Sequence, residues 1–294
     1  MTSPAPVELS PLHPGYPSRL RGVPDPPASL TTAGGSLEAE RVVAIVGSRD
    51  ATPAAAAFAR DLAGRLARMD VVVVSGGAVG IDAAAHQGAL AAGGRTWAVA
   101  PTGYGAVFPE QHASLFDTIA RGPGAMVWPF APDYRHRSAF LARNRVLVAL
   151  ADAVVVVQAG FPSGALRAAA VARTLGRPLW VVPAPPWLDG FHGSRLLLDR
   201  GGARPLGFVD PFLAWVAALP AAASRSPAPP PRPLDANENA VLNATSTAPL
   251  HLDAIAARAA LPAQAAASAL LTLSLENVVV EGPPGFFSRG DAAR

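Results

Sequence analysis

The run Val42-Val43-Ala44-Ile45-Val46-Gly47-Ser48-Arg49 decides the fold. Its first five residues are apolar and mostly β-branched, as expected for a strand buried on both faces of a parallel sheet. The segment Gly47-Ser48-Arg49 turns the chain. Thr52 and Pro53 then supply an N-cap and a first-turn proline for a helix that reaches about Met69. The stretch therefore predicts one strand–loop–helix unit.

The unit repeats along the chain. Further strands are predicted at 71–74, 96–100, 125–128, 153–157 and 178–182, and helices at 81–91, 111–121, 142–150 and 164–175. Because strands and helices alternate, we predict an α/β fold with right-handed crossovers and a doubly wound parallel sheet. Residues 1–40 are rich in Pro and Gly, so we expect an extended arm with turns, with regular structure beginning at Arg41.

Composition narrows the class of protein. Half of the 294 residues are hydrophobic, enough for a sizeable core, and all 24 basic side chains are Arg, with a net charge of only +3. The chain has no Cys, which excludes a disulfide framework, a thiolate metal site and a thiol nucleophile. The start Met1-Thr2-Ser3-Pro4 lacks a secretory pattern, and no run approaches the ~20 apolar residues of a membrane span. We expect a cytoplasmic protein that does not associate with membranes.

Three loops leave strands toward helix starts, at 47–49, 75–80 and 160–164. In a doubly wound sheet, ligands bind outside the carboxyl ends of the strands, where such loops lie. Each loop offers backbone N–H groups that large side chains do not obstruct, which suits an anion. Together they favour a ligand that carries phosphate.

A cluster of arginines precedes a predicted core helix. Between Tyr134 and Ala151 there are four arginines and no carboxylate: Arg135, Arg137, Arg143 and Arg145. From charge alone, such a cluster either holds phosphate or is a solvated surface patch. The three loops at the same sheet edge favour phosphate.

Several enzyme classes fit poorly. The chain lacks Gly-x-Gly-x-x-Gly after its first strand, and without Lys it has no phosphate-loop signature, so NAD oxidoreductases and ATPases are set aside. Asp82 and His86 share a helix face but lack a third metal ligand, which favours a structural role for Asp82. Ser163 lacks the nucleophile elbow and is interpreted as an N-cap or anion donor. We predict no catalytic residue, no metal and no cofactor.

Several motifs together resemble the DNA-processing protein A family (DprA, also called Smf). They are the segments 43–49, 75–86, 140–145 and 163–166, continued by 176–183 and 201–203. The resemblance implies a Rossmann-like domain over 41–220 that binds single-stranded DNA, protects it during natural transformation and loads the RecA recombinase onto it. It also implies a homodimer.

The resemblance and the arginine cluster together give the expected DNA-binding residues. They are Ser48, Arg49, Ser75, Gly76, Gly77, Arg135, Arg137, Phe140, Arg143, Asn144, Arg145, Ser163 and Gly164. Phe140 is expected either to stack on a base or to pack in the core. The chain departs from the family pattern at Leu141, where Pro is usual, and at Gln158, where Glu is usual.

The C-terminal part resembles the winged-helix module of the same family. Residues 221–233 are a Pro, Ala and Ser linker, and 234–290 give three helices and a strand pair. The helix predicted at 262–273 has no basic residue, and residues 235–289 contain five acidic residues and two arginines. We therefore predict that this module packs against protein and does not read duplex DNA.

Two alternatives stay open. One is a phosphoribohydrolase-like enzyme of the related Rossmann-like group, although segment 158–167, which stands where those enzymes carry Pro-Gly-Gly-x-Gly-Thr-x-x-Glu, contains no Glu. The other is a module that senses a nucleotide without turnover. The sequence separates this second alternative least well, because the same pocket would hold either a nucleotide or a DNA strand.

Overall fold

The computed structural model describes residues 4–24, 26–136, 139–220, 234–275, 278–283 and 285–289. The larger unit is built on one nine-stranded sheet. Its strands are β1 (Val7–Leu9), β2 (Leu30–Gly34), β3 (Val42–Val46), β4 (Val72–Ser75), β5 (Thr96–Val99), β6 (Ala125–Trp128), β7 (Ala153–Val156), β8 (Leu179–Val181) and β9 (Ala203–Pro205). Its helices are α1 (Ser18–Arg21), α2 (Pro53–Arg68), α3 (Ile81–Ala91), α4 (Ala113–Arg121), α5 (Ala139–Leu150), α6 (Gly164–Thr174), α7 (His192–Asp199) and α8 (Val209–Ala217), with a 3-10 turn at Glu110–His112.

The strand order is β1-β2-β6-β5-β4-β3-β7-β8-β9. From β6 to β9 all neighbours are parallel, whereas β1 and β2 run antiparallel at one edge. The chain winds outward from β3 in one direction and from β7 in the other, so the topological switch point lies between β3 and β7. A doubly wound α/β sheet is thus confirmed, and its ligand crevice is expected at that point.

The central strand is buried on both faces, as its β-branched sequence predicts. Val42, Ala44 and Val46 pack into one hydrophobic cluster with α5 and α6. Val43 and Ile45 pack into another with α2, α3 and α8. This double burial fixes the register of β3, because a slip of one residue would exchange the two faces.

The N-terminal segment corrects one expectation. The prediction that regular structure begins at Arg41 is wrong, because β1, α1 and β2 precede it and both strands belong to the main sheet. Tyr16 and Leu20 are fully buried. The segments between the Pro and Gly residues are long enough to form these elements. Strand β2 pairs with β6, and α1 packs against α5.

A buried ion pair fastens this segment to the sheet. The Nε and Nη2 atoms of Arg19 each donate to Asp152, both at 3.1 Å, and the side chains are only 3% and 2% exposed. The Asp152 carboxylate also accepts the Val42 N–H at 2.7 Å, while Arg19 Nη2 reaches the Glu40 carbonyl at 3.1 Å. This bidentate pair joins α1 to β7 and to the start of β3.

The C-terminal unit has a core of its own. Its elements are α9 (Ala236–Ala244), β10 (Leu250–His251), α10 (Leu252–Arg258), α11 (Ala263–Leu275), β11 (Val279–Glu281) and β12 (Phe286–Arg289), with strand order β10-β12-β11. Asp235 and Glu238 form a reciprocal capping box at the start of α9. The predicted three helices and strand pair are confirmed, and β10 is additional. The predicted linker at 221–233 lies outside the described residues.

Helix α11 packs against the body of the protein. Arg200 donates to the Thr272 hydroxyl at 2.6 Å and to the Ser268 carbonyl at 3.3 Å. Leu271 packs against the main hydrophobic cluster. This agrees with the prediction that the acidic module packs against protein, because α11 is the helix that would enter a DNA groove in a duplex-reading winged helix.

Within the described ranges, no single helix is long and apolar enough to cross a membrane. The bent pair Leu252–Arg258 and Ala263–Ser274, with 106° between its helices, reaches that length and composition only when both helices are counted together. Its apolar side chains form the core of the C-terminal unit.

Candidate functional site

A cavity of about 940 Å³ opens at the carboxyl edge of the sheet, at the switch point between β3 and β7. We call it the edge pocket, and its volume lies in the range of ligand sites. Loops after β3, β5 and β7 and the first turns of α5 surround it. Of the predicted site residues, those that line it are Ser48, Arg49, Arg135, Phe140, Arg143, Asn144, Ser163 and Gly164.

Two glycines allow the loops to meet behind the pocket. A Cβ on Gly47 would lie 2.5 Å from Ile81 Cγ1. Gly80 has a φ of +82°, and a Cβ there would lie 2.3 Å from the Ser48 carbonyl oxygen. That carbonyl accepts the Ile81 N–H at 3.2 Å. The loop after β3 therefore rests directly on the start of α3.

Ser163 and Asn144 shape the wall formed by the loop after β7. Ser163 is the N-cap of α6, and its hydroxyl accepts the Leu166 N–H at 3.3 Å. Asn144 Nδ2 donates to the Gly164 carbonyl at 3.2 Å and so links α5 to this loop. Asn144 therefore positions the loop, and Gly164 stays exposed at the helix start.

Arg143 lies at the floor of the pocket and is only 5% exposed. Its Nη1 donates to the Val99 carbonyl at 2.6 Å, whereas its buried Nε has no hydrogen-bond partner among the described residues. Burial lowers the pKa of Arg143 to about 10, an effect that Asp82 opposes and Arg49 strengthens. The guanidinium is thus protonated at neutral pH, and its positive charge lies in the lining of the edge pocket.

Asp82 lies beneath Arg143 and is buried. Its carboxylate accepts the Ala78 N–H at 3.3 Å, which holds the loop after β4. Burial raises the pKa of Asp82, and the positive charge of Arg143 is the largest effect opposing that rise. Asp82 therefore has the structural role that the sequence favours, close to the start of α3.

The rim of the pocket combines charge with aromatic rings. The Arg49 guanidinium carbon lies 4.9 Å from the centroid of the Phe140 ring. The Phe108 ring meets Phe140 edge-on at 5.4 Å and is 43% exposed. Arg49 is exposed and Phe140 is half-buried. The arrangement places a cation and aromatic surface side by side, as stacking sites for bases do.

The pocket lining carries charges of both signs. Its arginines are Arg49, Arg135, Arg143 and Arg167, and its carboxylates are Asp50, Asp82 and Glu110. Asp82 and Arg143 are both buried, so the accessible charges of the lining are those of Arg49, Arg135, Arg167, Asp50 and Glu110.

Arg145 is a predicted site residue that does not line the edge pocket. Residues two apart on a helix are separated by about 200°, so Arg145 points away from the face that carries Arg143. Its Nη2 donates to the Pro24 carbonyl in the N-terminal segment. The structure does not bring Arg145 to the edge pocket, because the N-terminal segment takes up its guanidinium.

Three predicted residues at the end of β4 and directly after it, Ser75, Gly76 and Gly77, do not line the pocket. Ser75 is buried and donates to the Ile45 carbonyl at 2.6 Å. A Cβ on Gly76 would lie 2.0 Å from Arg143 Nη1, so the absence of a side chain there makes room for the guanidinium. Gly77 packs against Phe116, where an added Cβ would lie 2.8 Å from the ring. These residues support the site without lining it, and predicted Arg137 lies outside the described residues.

Sequence reasoning missed the loop after β5. Thr102, Val107 and Phe108 line the pocket from this loop, and Arg167 lines it from α6. The loop has no recognisable phosphate motif; its one available signal is that it also leaves the carboxyl end of a parallel strand. Burial lowers the pKa of Arg167, and the negative charge of Glu281 in the C-terminal unit opposes that shift.

Gln158, where the family usually has Glu, is buried and bonded to neighbouring loops. Its Oε1 accepts the Thr52 N–H at 2.9 Å, and its Nε2 donates to the Asp50 carbonyl at 3.4 Å. The side chain is only 1% exposed. Gln158 therefore ties the loop after β3 to β7.

His86 is buried below the site and makes the fold sensitive to acid. Its Nδ1 lies 2.7 Å from the Thr96 hydroxyl, and burial, with the positive charges of His112 and Arg143, lowers its pKa to about 3. Between that value and the ordinary 6.5, the unfolded chain binds a proton that the native chain does not, so stability falls as the pH falls. We expect this one group to remove about 2 kcal/mol of the free energy of unfolding between pH 7 and pH 5.

Urea unfolding of the parent and of His86→Gln at both pH values measures this effect. The difference between the two proteins in pH dependence isolates His86 from the other titrating groups. Equal pH dependence in both proteins would contradict a depressed pKa for His86.

In the described part of the chain, no group of three or more His, Cys, Asp or Glu side chains lies close enough together to hold a metal ion.

Fold and site define a doubly wound α/β protein with an arginine-lined pocket at its switch point and a small helical domain with a three-stranded sheet docked beside it. The family model for DNA recombination-mediator protein A matches residues 9–216, and the model for the DprA winged helix domain matches 225–285. The chain belongs to the DprA/Smf family.

Relatives in this family align over different lengths. The protein Smf of Synechocystis is 30% identical over 314 aligned residues, covering 95% of this chain and 79% of that protein. A DprA protein of Mycobacterium tuberculosis is 42% identical over 192 residues, 65% of this chain and 49% of that protein. The chain thus spans about half the length of the latter.

A solved structure of DNA processing protein A from Helicobacter pylori is also similar, with a TM-score of 0.65 and 29% identity over 72% of this chain and 95% of that one. That structure is described for its single-stranded DNA binding mode.

Proposed function

We propose that this protein binds single-stranded DNA, with the backbone of the strand lying in the edge pocket. The observation that carries the proposal is Arg143, a buried, protonated guanidinium at the pocket floor whose Nε has no hydrogen-bond partner within the described residues. Arg49 and Arg135 at the rim supply further charge for neighbouring phosphates. The H. pylori relative, whose structure is described for its single-stranded DNA binding mode, supports single-stranded DNA as the ligand.

The aromatic rim favours a single strand over a duplex. Phe108 and Phe140 present ring surface beside the arginines, and an unpaired base can stack there, whereas bases inside a duplex have no free face. Stacking is tolerant of sequence, so we expect little preference among bases. Duplex reading by the C-terminal unit is not proposed, because α11 is docked on the body and carries no basic residue.

Salt dependence tests this proposal. If Arg49, Arg135 and Arg143 each neutralise one phosphate, log Kd for oligo-dT is expected to rise with log salt concentration with a slope of about 2. Arg49→Ala and Arg135→Ala are each expected to reduce the slope by about 0.7, because each removes one phosphate contact. Fluorescence anisotropy with labelled oligo-dT between 50 and 300 mM NaCl measures it.

Arg121→Ala is the matched control, because Arg121 lies on α4 outside the edge pocket and pairs with Asp117. It is expected to leave the slope unchanged. A parent protein that does not bind oligo-dT at low salt would refute single-strand binding, and rim variants with the parental slope would refute the assigned contacts.

We further infer that the protein passes the bound strand to the RecA recombinase, in the cytoplasm, during natural transformation or recombination, and that it acts as a homodimer. The family description as a recombination mediator supports this role. The test is RecA ATPase activity on single strands coated with single-strand binding protein, with sedimentation for the dimer. No acceleration of RecA assembly would contradict loading, and a monomer at working concentrations would contradict the dimer.

The phosphoribohydrolase-like alternative receives no support from segment 158–167, because it contains no Glu to serve as acid or base. We therefore propose a protein without catalytic activity. A competition experiment distinguishes the nucleotide-sensing alternative from single-strand binding. At equal concentration, dTMP would displace oligo-dT only if a single nucleotide filled the site.

A further inference from the structure

A second cavity, of about 420 Å³, lies between the body and the C-terminal unit. We call it the interdomain cleft. The loop after β7, α6 and Arg200 form one side, and α11 and the β-sheet of the C-terminal unit form the other. Its volume also lies in the range of small-ligand sites.

The cleft adjoins the edge pocket. Pro162, Ser163 and Arg167 line both cavities, so the N-terminal turn of α6 separates two chambers that share a wall. A phosphate near Ser163 would therefore have the cleft directly beside it. Since the bases of a single strand project from the backbone, a ligand that fills both chambers must be anionic on one side and flat and apolar on the other.

The walls of the cleft fit such a flat group. Phe161, Leu271 and Phe287 supply apolar surface, and the Phe161 ring is 46% exposed. Ser274 adds a polar group, because the described part of the chain offers its buried hydroxyl oxygen no hydrogen-bond partner. Glu281 and Arg200 add an acceptor and a donor. Aromatic surface with a few polar groups is how proteins hold unpaired bases.

We propose that the interdomain cleft is a base-binding subsite, which takes an unpaired base of the DNA strand whose backbone lies in the edge pocket. This inference rests on the proposed function. In this arrangement the docked winged helix forms one wall of the path of the strand. Its acidic surface does not oppose binding, because it contacts the base and not the negatively charged phosphate.

The test compares oligo-dT with an oligomer of equal length made of abasic sites, which keeps the phosphates and lacks the bases. Full-length Phe161→Ala removes the exposed ring, and Ala267→Trp fills the cleft from α11 without touching the edge pocket. Gln264→Trp is the matched control, because Gln264 is exposed on the same helix outside the cleft. A third readout is photo-crosslinking of 4-thiothymidine oligomers, with the attachment site mapped by mass spectrometry.

Both cleft variants are expected to weaken binding of oligo-dT about fivefold or more. A fivefold loss corresponds to about 1 kcal/mol, the lower end of the contribution of one base–aromatic stack. They should bind the abasic oligomer as the parent does, and crosslinks should map to cleft residues. Unchanged binding of oligo-dT, or an equal loss for both oligomers, would overturn the subsite. A parent that binds neither oligomer would instead refute the proposed function, so the two failures are distinguishable.

Discussion

Replacing Arg143 with alanine is expected to weaken binding of oligo-dT about 30-fold or more, the largest loss from any one side chain of the edge pocket. Arg143 is buried, protonated and hydrogen-bonded to Val99, so its charge acts in a site with little water. Truncating a buried, hydrogen-bonded charge in an interface costs about 2 to 5 kcal/mol, and 2 kcal/mol is about 30-fold in Kd. Fluorescence anisotropy at 100 mM NaCl measures it.

Arg145→Ala is the matched control on the same helix. It removes the same charge, but from a side chain that bonds to Pro24 away from the pocket, so Kd should change by no more than about twofold. Thermal unfolding of both variants shows whether either has lost its fold. Equal losses of binding in two folded variants would mean that net charge, and not the pocket, holds the strand.

Replacing Asp152 with alanine is expected to lower the free energy of unfolding by about 3 to 5 kcal/mol. The substitution leaves the Arg19 guanidinium buried without its charge partner and deprives the Val42 N–H of its acceptor. Both consequences fall where the N-terminal segment meets the first central strand. Urea denaturation monitored by circular dichroism measures the loss.

Arg121→Ala serves again as a control. It breaks the exposed ion pair with Asp117 on α4, and such surface pairs contribute about 0.5 kcal/mol or less. A loss of less than about 1 kcal/mol for Asp152→Ala would contradict the view that the ion pair fastens the N-terminal segment to the sheet.

Local sequence predicted the elements that carry strong periodic patterns. The β-branched run 42–46 and the runs around 72, 97, 126, 154 and 180 became strands because each is apolar on both faces, a pattern that only a covered parallel sheet satisfies. The N-terminal strands were missed because their burial depends on an edge partner, β6, that follows about 90 residues later. No local pattern records such a partner.

The site was predicted in part. The loops after β3 and β7 and the start of α5 meet in the edge pocket, since the carboxyl ends of parallel strands share one edge. Arg145 does not line the edge pocket, because proximity in sequence to Arg143 does not place two side chains on the same helix face. The loop after β5 was missed because its contribution is mostly apolar and lacks a motif.

The sequence by itself determined the doubly wound sheet, the Gly-bearing loops at its ligand edge and the acidic character of the winged helix, because these follow from periodicity, turn chemistry and composition. Tertiary structure alone decided which arginine faces the pocket, how the N-terminal segment joins the sheet, and that the docked winged helix encloses a second cavity beside the first. These features depend on contacts between residues that are far apart in the chain. Burial and helix orientation determine such contacts, and the local sequence does not encode them.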